Sequence, residues 1–76
     1  MKELLTYIAK NLVDAPDEVK VNEVEREDEL VLELRVAADD MGKVIGKHGR
    51  IAKEIRAIMK AAGNHKNLKV SVDILD

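Results

Sequence analysis

A chain of 76 residues with no cysteine and one aromatic side chain, Tyr7, excludes disulfide frameworks, thiolate metal sites and a core built on rings. At 46% hydrophobic and 37% charged it is too apolar for disorder. No apolar run approaches a signal peptide or the roughly 18 residues of a membrane span, so the expectation is one small, soluble, cytoplasmic domain with an aliphatic core.

The net charge of −2 conceals a segregation. From Met41 to Lys69 there are eight Lys/Arg and one acid, Glu54, which makes +7; the other residues carry five bases and fourteen acids, which makes −9. Such a split predicts one basic face suited to a polyanion and one acidic face, against the plainer reading of a solvated helix surface.

In chain order, residues 2–13 carry Leu4, Leu5, Ile8, Ala9 and Leu12 on one helical stripe, with Tyr7 beside it as a packing residue. Pro16 ends that helix, because the residue before a proline avoids the helical conformation. Residues 18–26 form a weak strand whose valines, Val19, Val21 and Val24, break the two-residue period and hint at a bulge or an early end. An acidic turn, Glu27-Asp28-Glu29, leads into residues 29–36, where Leu30, Leu32, Leu34 and Val36 alternate cleanly. The short connection predicts an antiparallel hairpin.

A short helix over 39–45 follows, with Met41, Val44 and Ile45 on one face and Asp39 or Asp40 as its cap. Then comes Gly46-Lys47-His48-Gly49, and a third helix over 50–62 with Ile51, Ile55, Ile58 and Ala62 as its stripe. At about 100° per residue, Arg50, Lys53, Arg56 and Lys60 lie opposite that stripe, interrupted only by Glu54. Gly63-Asn64 has the composition of a C-cap, and residues 68–75 alternate as a last strand. The fold class is therefore α+β: a two-layer sandwich, α-β-β-α-α-β, with a mixed three-stranded sheet if the long crossover makes the last strand parallel to the second.

The loop 46–49 has the parts of a phosphate clamp. Glycines let another backbone approach, the following helix start leaves N–H groups free for an anion, and Lys47, His48 and Arg50 add donors and charge. By itself a G-x-x-G is only a reversal between two helices.

Val44-Ile45-Gly46-Lys47-His48-Gly49 in this element order resembles the KH domain in its bacterial, type II arrangement, over nearly the whole chain as a single domain, 1–76. Met41 to Lys47 and Ile55-Arg56 resemble the small single-domain bacterial KH proteins of the KhpA type. The resemblance implies a groove for about four nucleotides of single-stranded RNA, clamped at residues 46–49, with Val44, Ile45 and the third helix as its apolar wall. Lys43, Arg50 and Lys53 complete the candidate RNA-binding set, and the loop from Gly63 to Asn67 matches the variable loop. Ala52 departs from the large aliphatic residue common three positions after the second glycine. The resemblance further implies an RNA chaperone or post-transcriptional regulator that associates with itself or with a larger KH-containing protein.

A second reading makes the domain chiefly a protein-interaction module, with the two helices around the loop as a dimer interface and RNA contact secondary. An enzyme is not expected: two histidines and no cysteine supply no nucleophile, base and acid set. His48 and His65 stand at opposite ends of a helix, about 25 Å apart by its rise, so no metal is expected between them. Nothing calls for a cofactor.

Overall fold

Leu30, Leu32 and Leu34 carry the core along the middle strand of a three-stranded sheet in the computed structural model, which describes all 76 residues. The elements are α1 (Lys2–Lys10), β1 (Lys20–Arg26), β2 (Glu29–Arg35), α2 (Met41–Ile45), α3 (Arg50–Asn64) and β3 (Lys69–Leu75). β1 pairs antiparallel with β2, from Lys20 opposite Arg35 to Arg26 opposite Glu29. β3 pairs parallel with β2 on its other side, with Val72 opposite Leu32. The architecture is α+β with a mixed sheet, as the alternation of the strands and the long crossover predict.

One face of the sheet gathers Val21, the three leucines, Val70 and Val72 against Leu5 and Ala9 of α1, Val44 of α2, and Ile55 and Met59 of α3. Together with Val19 these form one aliphatic core. No helix is long and apolar enough to cross a membrane.

Several boundaries differ from the pattern reading, each for a local reason. α1 stops at Lys10, not Val13: the Asn11 side chain donates to the Tyr7 carbonyl at 2.8 Å, and Leu12 N–H bonds Ala9 three residues back, which tightens the last turn. Pro16–Glu18 is a 3₁₀ turn, so β1 starts at Lys20 instead of 18. A second 3₁₀ turn, Ala38–Asp40, delays the start of α2 to Met41. The pairing of β1 is continuous and holds no bulge. Val24 faces the side of the sheet opposite Val21, beside Val31.

α3 buries Ala52, Ile55, Met59 and Gly63, while Ile58 is 48% exposed. Its inward face is thus rotated from the isoleucine stripe toward smaller residues. Gly63 is not a left-handed cap but an interior helix residue, and the helix runs on to Asn64. A Cβ at Gly63 would lie 2.5 Å from the Leu68 carbonyl oxygen and 2.7 Å from Val70 Cγ2, so glycine is there for close approach. The left-handed residue of this connection is Asn67, φ 55°.

Asp40, 2% exposed, stands at the N-cap of α2 without capping it. Its carboxylate instead accepts N–H groups across the chain, from Asp14 at 3.2 Å and Ala15 at 3.0 Å. Lys43 ion-pairs with Asp14 at 3.2 Å and with Asp40 at 3.7 Å. This ties the loop after α1 to the base of α2. Burial opposes the charge on Asp40, but the N–H groups of Ala15 and Asp14 and the Lys43 ammonium outweigh it and hold the carboxyl below its ordinary range. Bonding to Asp14, then the charges of Asp14 and Asp40, hold Lys43 above its ordinary value.

Two glycine substitutions separate propensity from packing. A Cβ placed on Gly42 would meet nothing within 4 Å, so Gly42→Ala is expected to stabilise by about 0.5–1 kcal/mol in urea unfolding. Gly63→Ala is expected to destabilise by about 1–3 kcal/mol, and equal gains at both sites would refute the close-approach account. For Asp40, whose pKa is lowered on folding, the stabilising contribution is present above the ordinary 3.8 and disappears as pH falls through the folded value. Asp40→Asn should therefore have a lower Tm than wild type at pH 7, with the gap closing in acid below that value. A gap that stays constant through the acid range would show that the ionised carboxylate is not what holds the loop.

Candidate nucleic-acid interface

The loop between α2 and α3 is built by three departures from right-handed backbone within four residues. Gly46 has φ 76° and ψ 175°, His48 has φ 57° and ψ 24°, and Gly49 has φ 72° and ψ 16°. Gly46 closes α2 by donating its N–H to Gly42 at 2.8 Å, and Gly49 donates to Gly46 at 3.2 Å. The two glycines are needed for different reasons. A Cβ at Gly46 would sit 2.6 Å from Ile51 Cγ1, so both φ and space demand glycine there. A Cβ at Gly49 would have nothing within 4 Å, and only its left-handed φ favours glycine. His48 accepts positive φ as a residue type that tolerates it better than most.

The turn at Gly49, left-handed and followed by Arg50 at φ −64°, ψ −40°, uses the N–H groups of both residues internally, to the Gly46 and Lys47 carbonyls. It coincides with the start of α3, a helix of 15 residues whose N-terminus has no side-chain cap and no acidic residue in its first turn. No side chain therefore caps or neutralises the positive end of the helix.

Lys47, His48, Arg50 and Lys53 are positioned around this point, all four on the exposed surface. The ion pairs of the molecule involve only the N-terminal amine with Glu3 and Lys43 with Asp14 and Asp40. Every cation near the loop other than Lys43 is thus unpaired. Lys43 is committed to two carboxylates, and its charge is already balanced before any ligand arrives.

Val44 is fully buried in the core, where it locks α2 onto the sheet, so its side chain offers no ligand surface. The apolar part of the surface here is Ile45, 37% exposed, with Ile51 half-buried behind Gly46. Ala52 faces the core at 4% exposure, which leaves the neighbouring Ile51 to fill the space behind the loop.

Arg56 belongs to the basic face of α3 but lies outside the loop and the candidate RNA-binding set. Its guanidinium Nε–H donates to the Val72 carbonyl of β3 at 3.1 Å, which places it between α3 and the edge of the sheet. The i, i+3 spacing from Lys53 puts it on that flank, but the partner on β3 follows only from the packing. No group of three His, Asp or Glu side chains could hold a metal ion.

Comparison with known proteins identifies the family. The family model described as KhpA/KhpB, KH domain matches residues 2–74. A Clostridium acetobutylicum protein named RNA-binding protein KhpA is 60% identical over 75 residues, covering 99% of this chain and 100% of its own. Proteins of the same name from Clostridium perfringens, 59% identical over 99% of this chain and all of the other, and Chlamydia trachomatis, 47% identical over 100% and 97%, are similar along their full lengths. The chain belongs to the KhpA/KhpB family of KH domains, a family of binding proteins and not of enzymes.

Proposed function

We propose that this protein binds single-stranded RNA and that residues 46–49 clamp the phosphate backbone. The observation that carries the reading is the uncapped, acid-free start of α3 behind a left-handed loop, with Lys47, His48 and Arg50 unpaired beside it. Relatives named RNA-binding protein support the same ligand class. In this reading Gly46, Lys47, His48 and Gly49 hold the strand, Arg50 and Lys53 extend the charge along α3, and Ile45 supplies apolar contact. Lys43 and Val44 act from behind: one fixes the base of α2, the other its seat in the core. The single domain, 1–76, works in the cytoplasm as an RNA chaperone or post-transcriptional regulator.

Binding by one such module is weak, since the body carries a net charge of −2 and few nucleotides are touched. Pairing with a second copy or with a larger KH-containing protein would raise the effective affinity. Ile45 and Ile58, 37% and 48% exposed on the two helices that flank the loop, favour a second reading in which those helices are chiefly a protein interface.

The test is titration of a fluorescent single-stranded RNA at several salt concentrations, with mass followed by light scattering. With Lys47, Arg50 and Lys53 neutralising phosphates, the slope of log K against log salt is expected to be about −2. The Lys47→Asp, His48→Asp double variant should fold, because aspartate tolerates the left-handed φ at 48. It is expected to lose binding by about a hundredfold with unchanged mass. Equal, poor binding by both proteins with a changed mass for the variant would establish the loop as a protein interface instead.

A further inference from the structure

The two edges of the sheet differ. On β3, Arg56 Nε–H donates to the Val72 carbonyl. On β1, no hydrogen bond from a loop or a side chain reaches Glu23 or Glu25. Their own backbone groups face outward. Arg26 and Glu29 flank a two-residue turn and bond each other, so by the two-residue period Val24 and Asn22 also turn toward β2. Glu23 and Glu25 then point N–H and C=O away from the sheet. Val21 does the same but is buried with the core, so residues 23–25 are the accessible stretch.

Nothing in the backbone keeps this edge from pairing. β1 is seven residues long, holds no proline and has no bulge. Its protection is charge. Glu23 and Glu25 stand opposite Leu32 and Leu30, so their side chains share the helix-covered side of the sheet, both exposed and without an ion partner. Val24 lies between them on the other side, half-buried opposite Val31. At Glu25 a cleft of about 450 Å³ opens beside the hairpin turn. The acidic residues 25 and 27–29 line it against one cation, Arg26, with Leu30 and Leu68 in its wall.

The charge decides what can pair here. Antiparallel pairing of two copies at this stretch sets glutamate opposite glutamate, 23 against 25 or each against itself, and like charges directly opposite destabilise a sheet. A polyanion is repelled in the same way. A basic strand is not. We propose that the β1 edge takes an extended basic segment of another protein by antiparallel strand addition. Main-chain bonds to Glu23 and Glu25 hold it, lysine or arginine stands opposite each glutamate, and an apolar residue between them covers Val24. A long basic side chain at Glu25 has carboxylates for its head and Leu30 and Leu68 for its stem. The site lies on the edge of the sheet opposite Arg56 and does not depend on the RNA-binding reading.

The experiment titrates the whole protein with two fluorescent peptides of one composition, Lys-Val-Lys-Val-Lys-Val and Lys-Lys-Lys-Val-Val-Val, and follows amide hydrogen exchange by NMR. The alternating peptide is expected to bind about tenfold more tightly and to slow exchange at the Glu23 and Glu25 amides. The Glu23→Lys, Glu25→Lys double variant, changed only at exposed side chains, should lose that peptide and gain Glu-Val-Glu-Val-Glu-Val, because the backbone edge remains. Equal binding of both lysine peptides without amide protection would reduce the edge to bulk charge and overturn the proposal. So would binding of neither, or amides at 23 and 25 already protected in a dimer of the free protein, which would make a second copy the occupant.

Discussion

The close seat of α3 on the sheet is the constraint from which the rest of the molecule follows. With no Phe or Trp, the core is filled by aliphatic side chains alone, and it stays dense only if the layers come near each other. α3 achieves this by turning Ala52 and Gly63 inward along with Ile55 and Met59. At Gly63 the approach leaves no room for a Cβ against the backbone of Leu68. The same seat brings Arg56 within hydrogen-bonding distance of β3 and sets where the first turn of α3 emerges. The exposed N-terminus, the loop before it and the occupied carbonyl are therefore consequences of one packing arrangement.

Charge is arranged to leave that emergence point free. The acids outnumber the bases, yet the first turn of α3 contains none, and Lys47, Arg50 and Lys53 have no carboxylate partner. The one cation of this region that is paired, Lys43, serves a different end. It completes a knot with Asp14 and Asp40 that ties the loop after α1 to the base of α2, and α2 in turn leads into Gly46. A buried carboxylate with two N–H donors and an ammonium is costly to assemble, so its presence at the root of α2 marks a place where position matters.

Much of this was legible in the residues themselves. The alternation Leu30, Leu32, Leu34 identifies the central strand, the short acidic turn identifies the hairpin, and the distance from β2 to β3 leaves room for a crossover. Gly46-Lys47-His48-Gly49 between two apolar patterns locates the loop. What the pattern hid is what size and polarity disguise. A stripe read from large aliphatics favours Ile51 and Ile58 over Ala52 and Gly63, although the small residues are the ones that face the sheet. Asp40 before a helix looks like a cap, because the N–H groups of Asp14 and Ala15 that claim it lie 26 and 25 residues away in the chain. Arg56 and Lys60 look alike on a wheel, and only the position of β3 distinguishes them.

The G-x-x-G pattern also joins two unlike requirements. Gly49 is a matter of backbone conformation in open space, and His48 beside it takes positive φ with a full side chain. Gly46 is a matter of packing as well, since Ile51 lies where its Cβ would be. Ile51 in turn is held by α3, the helix whose start the loop exposes. The loop is thus clamped at its first glycine by the element it leads into, while its second glycine stays clear of neighbours. A loop built this way has one end fixed to the core and the other open to solvent, and the helix start without a side-chain cap lies at the open end.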